Sequence, residues 1–130
     1  MNEATFLQEL KELDMLQQTL AILEWDSQTG MPEEGSEYRG ETTGYLAGLY
    51  FEKKIGATIK EAITYFEDKP EELTEVGQVA LGLVKEEYEL NHAVPNELMV
   101  AYSAATSKAH GAWQKARKEN DYAYFKKTFA

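Results

Sequence analysis

The sequence predicts an all-α chain of about six helices, arranged as an up-and-down, bundle-like array. Apolar residues recur at steps of three and four along most of its 130 residues, which is the period of a helix with one buried face. The interruptions fall at Gly30, Pro32, Gly56, Pro70 and Pro95, beside residue types that start and stop helices. No stretch alternates apolar and polar side chains long enough to make a strand, and neither an internal repeat nor a low-complexity linker divides the chain. The expectation is one helical domain over residues 1–130, with helices at roughly 3–26, 36–54, 58–68, 70–91, 95–120 and 121–130.

The first helix carries Phe6, Leu7, Leu10, Leu13, Leu16, Leu20 and Leu23 on one face, with Met15, Ile22 and Trp25 widening the stripe. Thr5 and Gln8 have the spacing of a capping box at its start, the alternative being a start a few residues earlier. Between the first two helices, Gly30 is expected to take positive φ as a cap. Pro32 pushes Met31 out of the α region. Trp25 and Met31 then read as a hydrophobic plug that sets the angle of a helix–turn–helix corner, while Asp26, Thr29 and Ser36 read as caps and turn formers.

Ser36 is the expected N-cap of the second helix, and Tyr38, Thr42, Tyr45, Leu46, Leu49 and Tyr50 its apolar face. Gly40, Gly44 and Gly48 recur every fourth residue along the same helix. Each costs up to ~1 kcal/mol against alanine, so the stripe implies close packing on a neighbouring helix.

Gly56 reads as a cap, with Thr58 and Glu61 opening a third helix whose face is Ile55, Ile59, Ala62, Ile63 and Phe66. Pro70 fits the first turn of a fourth, followed by Glu71 and Glu72 and the face Leu73, Val76, Ala80, Leu83, Val84 and Tyr88. Pro95 starts a fifth, with Leu98, Tyr102, Ala105, Ala109, Ala112, Trp113 and Ala116 inward. Asp121 caps a sixth, with Tyr122, Phe125 and Phe129 inward.

Composition excludes several classes. A formal net charge of −10 argues against nucleic-acid binding, which needs a basic footprint. With no cysteine, neither a disulfide framework nor a thiolate metal site is possible. No apolar run approaches the ~20 residues that span a bilayer, so neither nucleic acid nor membrane is an expected partner. The charged amphipathic start lacks the pattern of a signal peptide, and the expected location is cytoplasmic. The first 41 residues are acidic and the segment from Lys108 onward is basic, a pairing within or between molecules that ordinary solvated helix faces also explain.

Catalytic motifs are largely absent. The two histidines, His92 and His110, fall on different predicted segments, and neither has a second histidine four residues on, so no H-E-x-x-H is present. Glu89 and His92 have the spacing of one half of a di-iron site, but the second pair that such a bundle needs is missing. His92 fits better as a group flanking a helix C-terminus. The acid pairs Glu33–Glu34, Glu71–Glu72 and Glu86–Glu87 sit on expected surfaces, and there is no phosphate-binding glycine loop or nucleophile elbow.

The corner taken whole is more informative. It reads Trp25-Asp26, Thr29, Met31-Pro32, Gly35 and Arg39, a pattern WD-x-x-T-x-MP-x-x-G-x-x-x-R. A later block reads Val94-Pro95-Asn96-Glu97-Leu98, Ala109, Trp113, Ala116-Arg117, Asp121-Tyr122 and Phe125. Together they resemble the N-terminal region of the carboxypeptidase Taq family, zinc-dependent metallocarboxypeptidases that release C-terminal amino acids from peptides. In that family the metal is held by an H-E-x-x-H motif and a downstream glutamate, with zinc or another divalent ion expected in a full-length parent.

The resemblance implies a chain that is scaffold or cleft wall, incomplete without the rest of the parent enzyme, with no catalytic, cofactor or metal ligand of its own and no activity alone. Its partners are then the rest of that enzyme and the parent's peptide substrates. The small and aromatic faces of the fifth and sixth helices, exposed in such a fragment, predict self-association as a homo-oligomer such as a dimer. Trp25, Asp26, Thr29, Met31, Pro32, Gly35, Arg39, Pro95, Trp113 and Arg117 are carried over as structural signature residues. The chain's end inside a short sixth helix fits an excised segment or truncated gene. The alternative is a stand-alone helical interaction module that uses the acidic face or the glycine stripe.

Overall fold

In a computed structural model that describes residues 1–129, with the side chain of Phe129 left out, the chain is all-α. In order, α1 is Glu3–Thr29, α2 Ser36–Lys54, α3 Ala57–Asp68, α4 Glu75–Asn91, α5 Asn96–Glu119 and α6 Tyr122–Lys126. Single 3₁₀ turns lie at Glu33–Gly35, Pro70–Glu72 and Lys127–Phe129. No strand occurs among the described residues. The chain forms two compact units: Met1–Gln18 with Leu49–Asn96, and Thr19–Gly48 with Glu97–Ala130.

The first unit holds the larger apolar core. Phe6 and Leu13 of α1 meet Ile59, Ala62, Ile63 and Phe66 of α3 and Leu73 and Leu81 around α4. The Phe6 and Phe66 rings lie 5.8 Å apart at a tilt of 46°, and Tyr65 meets Phe66 edge-on at 5.1 Å, a geometry that adds to simple burial. The face expected for α3 is therefore the one buried.

Most helices start within a residue of expectation, but α4 starts later and several caps differ because other donors and acceptors are better placed. Asn2 Oδ1 accepts from the Thr5 amide at 2.9 Å, so α1 begins ahead of the Thr5–Gln8 box. Gly56 is the extended residue before α3, without positive φ, and no side chain caps that helix. Pro70 does not open α4. It makes one 3₁₀ turn, after which Leu73 turns extended and enters the core, and Thr74 becomes the cap by accepting from the Gly77 amide at 3.2 Å. Glu3 Oε1 accepts from the Thr74 amide and hydroxyl at 2.8 and 2.7 Å, which ties the start of α1 to the start of α4.

In the second unit the glycine stripe controls packing. A Cβ on Gly44 would stand 2.9 Å from Ala104 Cβ and 3.1 Å from the Val100 carbonyl oxygen, and one on Gly40 would strike Lys108. Thus α2 presents Gly40 and Gly44 to the backbone of α5, as the fourfold spacing implies. Of the face expected for α2, Tyr50 packs against the core of the first unit, whereas Tyr38 and Tyr45 are exposed, roughly 100–120° round the helix from Gly44.

The face of α5 shifts for the same reason. Ala104 and Gly111 turn toward α2, while Leu98, Tyr102 and Ala105, expected inward, are exposed. The end of α5 uses Asn120 at φ 53° rather than a glycine, with the Asp121 amide donating to the Ala116 carbonyl at 2.8 Å. Asp121 then caps α6, as expected, by accepting from the Tyr124 amide at 3.1 Å. Tyr122 is exposed and Phe125 half-buried, while the Phe129 side chain lies outside the described residues.

Two outcomes test this packing. Gly44→Ala is expected to lower unfolding stability by about 1–3 kcal/mol through overpacking. Gly82→Ala, where no described atom lies within 4 Å, should raise it by up to about 1 kcal/mol; urea melts of the two variants read the contrast.

A pH test rests on Lys53, whose ammonium bridges Glu9 at 2.9 Å and Glu12 at 2.8 Å. The hydrogen bond from Lys53, then that from Gln8, holds the Glu12 carboxyl below its ordinary value. Burial opposes the Lys53 charge, but hydrogen bonds to Glu12 and Glu9 outweigh it and keep its pKa raised. The cluster's stability is therefore present above the usual carboxylate range and lost as pH falls through the depressed Glu12 value. On the alkaline side it persists until pH rises through the raised lysine value. Lys53→Met should flatten the acid limb of a Tm-versus-pH curve.

Candidate functional site

The corner between α1 and α2 is built from the signature residues. Helix α1 runs to Thr29, and the Gly30 and Met31 amides both donate to the Asp26 carbonyl, at 3.0 and 2.9 Å. This closure is made without positive φ at Gly30, so the turn needs no left-handed residue. Pro32 is the extended residue (φ −60°, ψ 144°) before the 3₁₀ turn, and the Gly35 amide donates to its carbonyl at 3.0 Å. Ser36 is the first residue of α2 rather than its side-chain cap, because its hydroxyl donates back to the Glu33 carbonyl at 2.7 Å.

Arg39 locks this arrangement. Its Nη2 donates to Asp26 Oδ2 at 2.8 Å and its Nη1 to the Leu23 carbonyl at 3.0 Å. One planar guanidinium thus binds a side chain and a backbone oxygen near the C-terminal end of α1, where positive charge also suits the helix dipole. Thr29 and Ser27 donate to the carbonyls four residues earlier, at 2.7 Å each. Asp26 and Arg39 are therefore structural partners.

Trp25 does not plug the corner. It is 71% exposed, whereas Met31 is half-buried with its Cγ 3.5 Å from where a Gly35 Cβ would stand. Met31 alone supplies the apolar filling, because α1 continues one turn past the expected end and its last turns face Trp25 outward.

The later block lies along α5. Pro95 is exposed just before that helix. Trp113 stacks on His110 with ring centroids 5.9 Å apart, and Arg117 Cζ lies 5.9 Å from the Trp113 ring. The corner reaches α5 where a Cβ on Gly111 would meet Ser36 Cβ at 2.7 Å, and Lys115 pairs with Glu33 at 3.4 Å. The hydrogen bond to Glu33 leads the effects that hold the Lys115 pKa above its usual value.

Between the corner and α5, all within the second unit, lies a cavity of about 370 Å³. Met31 lines it together with polar residues that include Ser27, Thr43, Ser107, His110 and Gln114. His110 Nε2 is buried there without a hydrogen-bond partner among the described residues. Sequence reasoning weighs His110 only as a metal ligand and misses its place in this wall. Gly111 beside it, the one glycine of the alanine-rich α5, marks a close approach in the sequence but not a cavity. The cavity offers hydrogen-bonding groups, the Glu24 carboxylate and the His110 ring among them, while His92 lies in the first unit with its Nδ1 3.0 Å from the Tyr88 carbonyl.

The fold and the corner define an all-α protein whose signature residues Asp26 and Arg39 are bonded to each other and to the backbone. The model of the family described as carboxypeptidase Taq (M32) metallopeptidase matches residues 5–130, and this chain belongs to that family. It is 33% identical over 123 residues to carboxypeptidase 1 of Bacillus subtilis, covering 95% of this chain and 25% of that protein. It is 28% identical over 116 residues to thermostable carboxypeptidase 1 of Thermus thermophilus, covering 85% of this chain and 23% of that one. A solved structure described as the BsuCP crystal structure matches with a TM-score of 0.91 at 32% identity, over 97% of this chain and 25% of the other. The chain therefore spans about a quarter of the length of these relatives.

A metallopeptidase family implies a metal ion. Among the described residues no group of three or more His, Cys, Asp or Glu side chains is placed to hold one. The residues present do not fit a metal centre, and no step through a metal follows from them. Nor is any described helix long and apolar enough to cross a membrane.

The corner's internal bonds set a testable contrast. Arg39→Met should cost roughly 1 kcal/mol, since the pair is partly exposed but a backbone carbonyl also loses its donor. Trp25→Ala should change the stability of the isolated chain by less than about 0.5 kcal/mol, as for other surface sites. Thermal unfolding of both variants followed by circular dichroism is the measurement.

Proposed function

We propose that this chain is the N-terminal helical part of a zinc-dependent metallocarboxypeptidase that releases C-terminal amino acids from peptides. Its own role is to build scaffold and one wall of the substrate cleft, while metal ligands and general base come from elsewhere in such an enzyme. The observation that carries this reading is a family match over residues 5–130 in a chain that spans a quarter of its relatives and offers no metal-ligand cluster among the described residues. The signature residues support it by their bonding: Asp26 and Arg39 are spent on each other and on the backbone, which is the behaviour of a scaffold.

The test is direct. The purified chain is incubated with short peptides, with and without added zinc, and released C-terminal amino acids are quantified while zinc retention after dialysis is measured. The expected result is no release above the blank and no retained stoichiometric zinc. Zinc-dependent release by the chain alone would remove the scaffold assignment.

A further inference from the structure

Helix α4 has two apolar faces, and the first unit covers one of them. The core face is Gly77, Leu81, Val84 and Tyr88, with Leu81 and Gly77 buried. A second stripe is made by Val76, Val79, Leu83 and Leu90, which are 73%, 62%, 62% and 70% exposed. At about 100° per residue these four fall within an arc of roughly 60°, and the stripe's centre lies some 140° from the core face. Beside the stripe, a Cβ placed on Gly82 would meet no described atom within 4 Å. Four branched aliphatic side chains aligned on one exposed helix face, next to open space at a glycine, differ from the isolated apolar residues normal on surfaces.

Charge narrows the occupant. Glu75 and Glu86 flank the stripe on one side, and neither forms an ion pair among the described residues. Glu87 flanks the other side and is paired with Lys54. Lys85, the one basic residue of α4, pairs with Glu67. A second copy docking through the same stripe about a two-fold axis would set acidic rows against each other. An aliphatic helix carrying lysine or arginine beside its apolar face would complement both features.

We infer that the Val76–Val79–Leu83–Leu90 face of α4 is a docking surface for a basic-flanked amphipathic helix from the remaining three quarters of an M32 polypeptide. This inference rests on the scaffold reading above, and on the relatives being about four times as long as this chain.

The experiment co-expresses the tagged chain with the segment of B. subtilis carboxypeptidase 1 that the match leaves uncovered, and measures how much of that segment co-purifies. The unmodified chain is expected to retain it. Leu83→Glu and Val79→Glu should reduce retention at least tenfold while leaving the helicity and Tm of the isolated chain unchanged, because both sites are exposed there. Tyr102→Glu on α5 serves as a comparison surface.

Retention unaffected by the α4 variants but lost with Tyr102→Glu overturns the α4 assignment and leaves the scaffold reading standing. No retention by the unmodified chain sinks the scaffold reading itself. Sedimentation showing a dimer of the unmodified chain that Leu83→Glu dissolves makes a second copy the occupant and overturns the proposed partner.

Discussion

The close approach of α2 to α5 at Gly44 constrains the packing of the second unit. A Cβ there has no room against Ala104 and the Val100 carbonyl, so the two backbones meet where side chains normally intervene. Helices packed this closely gain dispersion along their whole contact but tolerate little change in side-chain volume. The same proximity sets which side of α5 faces inward, and thereby where His110, Gly111 and Gln114 stand. Tyr38 and Tyr45, away from that contact on α2, are exposed. Along the glycines α2 has no side chain to bury; its one buried large side chain is Phe51 in its last turn, and the largest fully buried side chains are Phe6, Phe66 and Ile59 of the first unit.

The corner shows how a sequence signature becomes structure. Trp25, Asp26, Thr29, Met31, Pro32, Gly35 and Arg39 are neighbours because one guanidinium bridges the end of α1 to the start of α2. Pro32 breaks the helix, the Asp26 carbonyl closes the turn, and Met31 fills the space beside Gly35. Every polar member of the set is engaged in backbone or side-chain bonding within the corner, apart from Trp25, whose indole faces solvent. A residue can therefore belong to a family pattern without belonging to a reaction. The exposed Trp25 is accounted for if further chain of the same family covers it, as the scaffold reading holds.

Periodicity found the helices and, in several, the buried line. Phe6 and Leu13 of α1, and Ile59, Ala62, Ile63 and Phe66 of α3, face the core as the three-and-four spacing requires. The fourfold spacing of glycines was legible as a close contact, and Asp121 as a cap. The errors have one form. Where a helix carries apolar residues over more than one arc, as α2, α4 and α5 do, periodicity cannot say which arc meets the neighbour. In α2 the spacing favours Tyr38 and Tyr45 over the glycines, and in α4 it groups Val76 and Leu83 with the core although they face out. The cavity beside His110 was not legible, since its walls come from helices far apart in sequence.

The sequence by itself determined the all-α class, the places where helices break, and the family, because these depend on local backbone preference and on a spaced pattern of residue types. Only the tertiary structure decided that Arg39 bonds to Asp26 and to the Leu23 carbonyl, that α5 turns Ala104 rather than Tyr102 toward α2, and that α4 keeps a second aliphatic stripe in solvent. The reason is that a helix's phase about its own axis is set by what packs against it. That information resides in the neighbouring element and not in the helix.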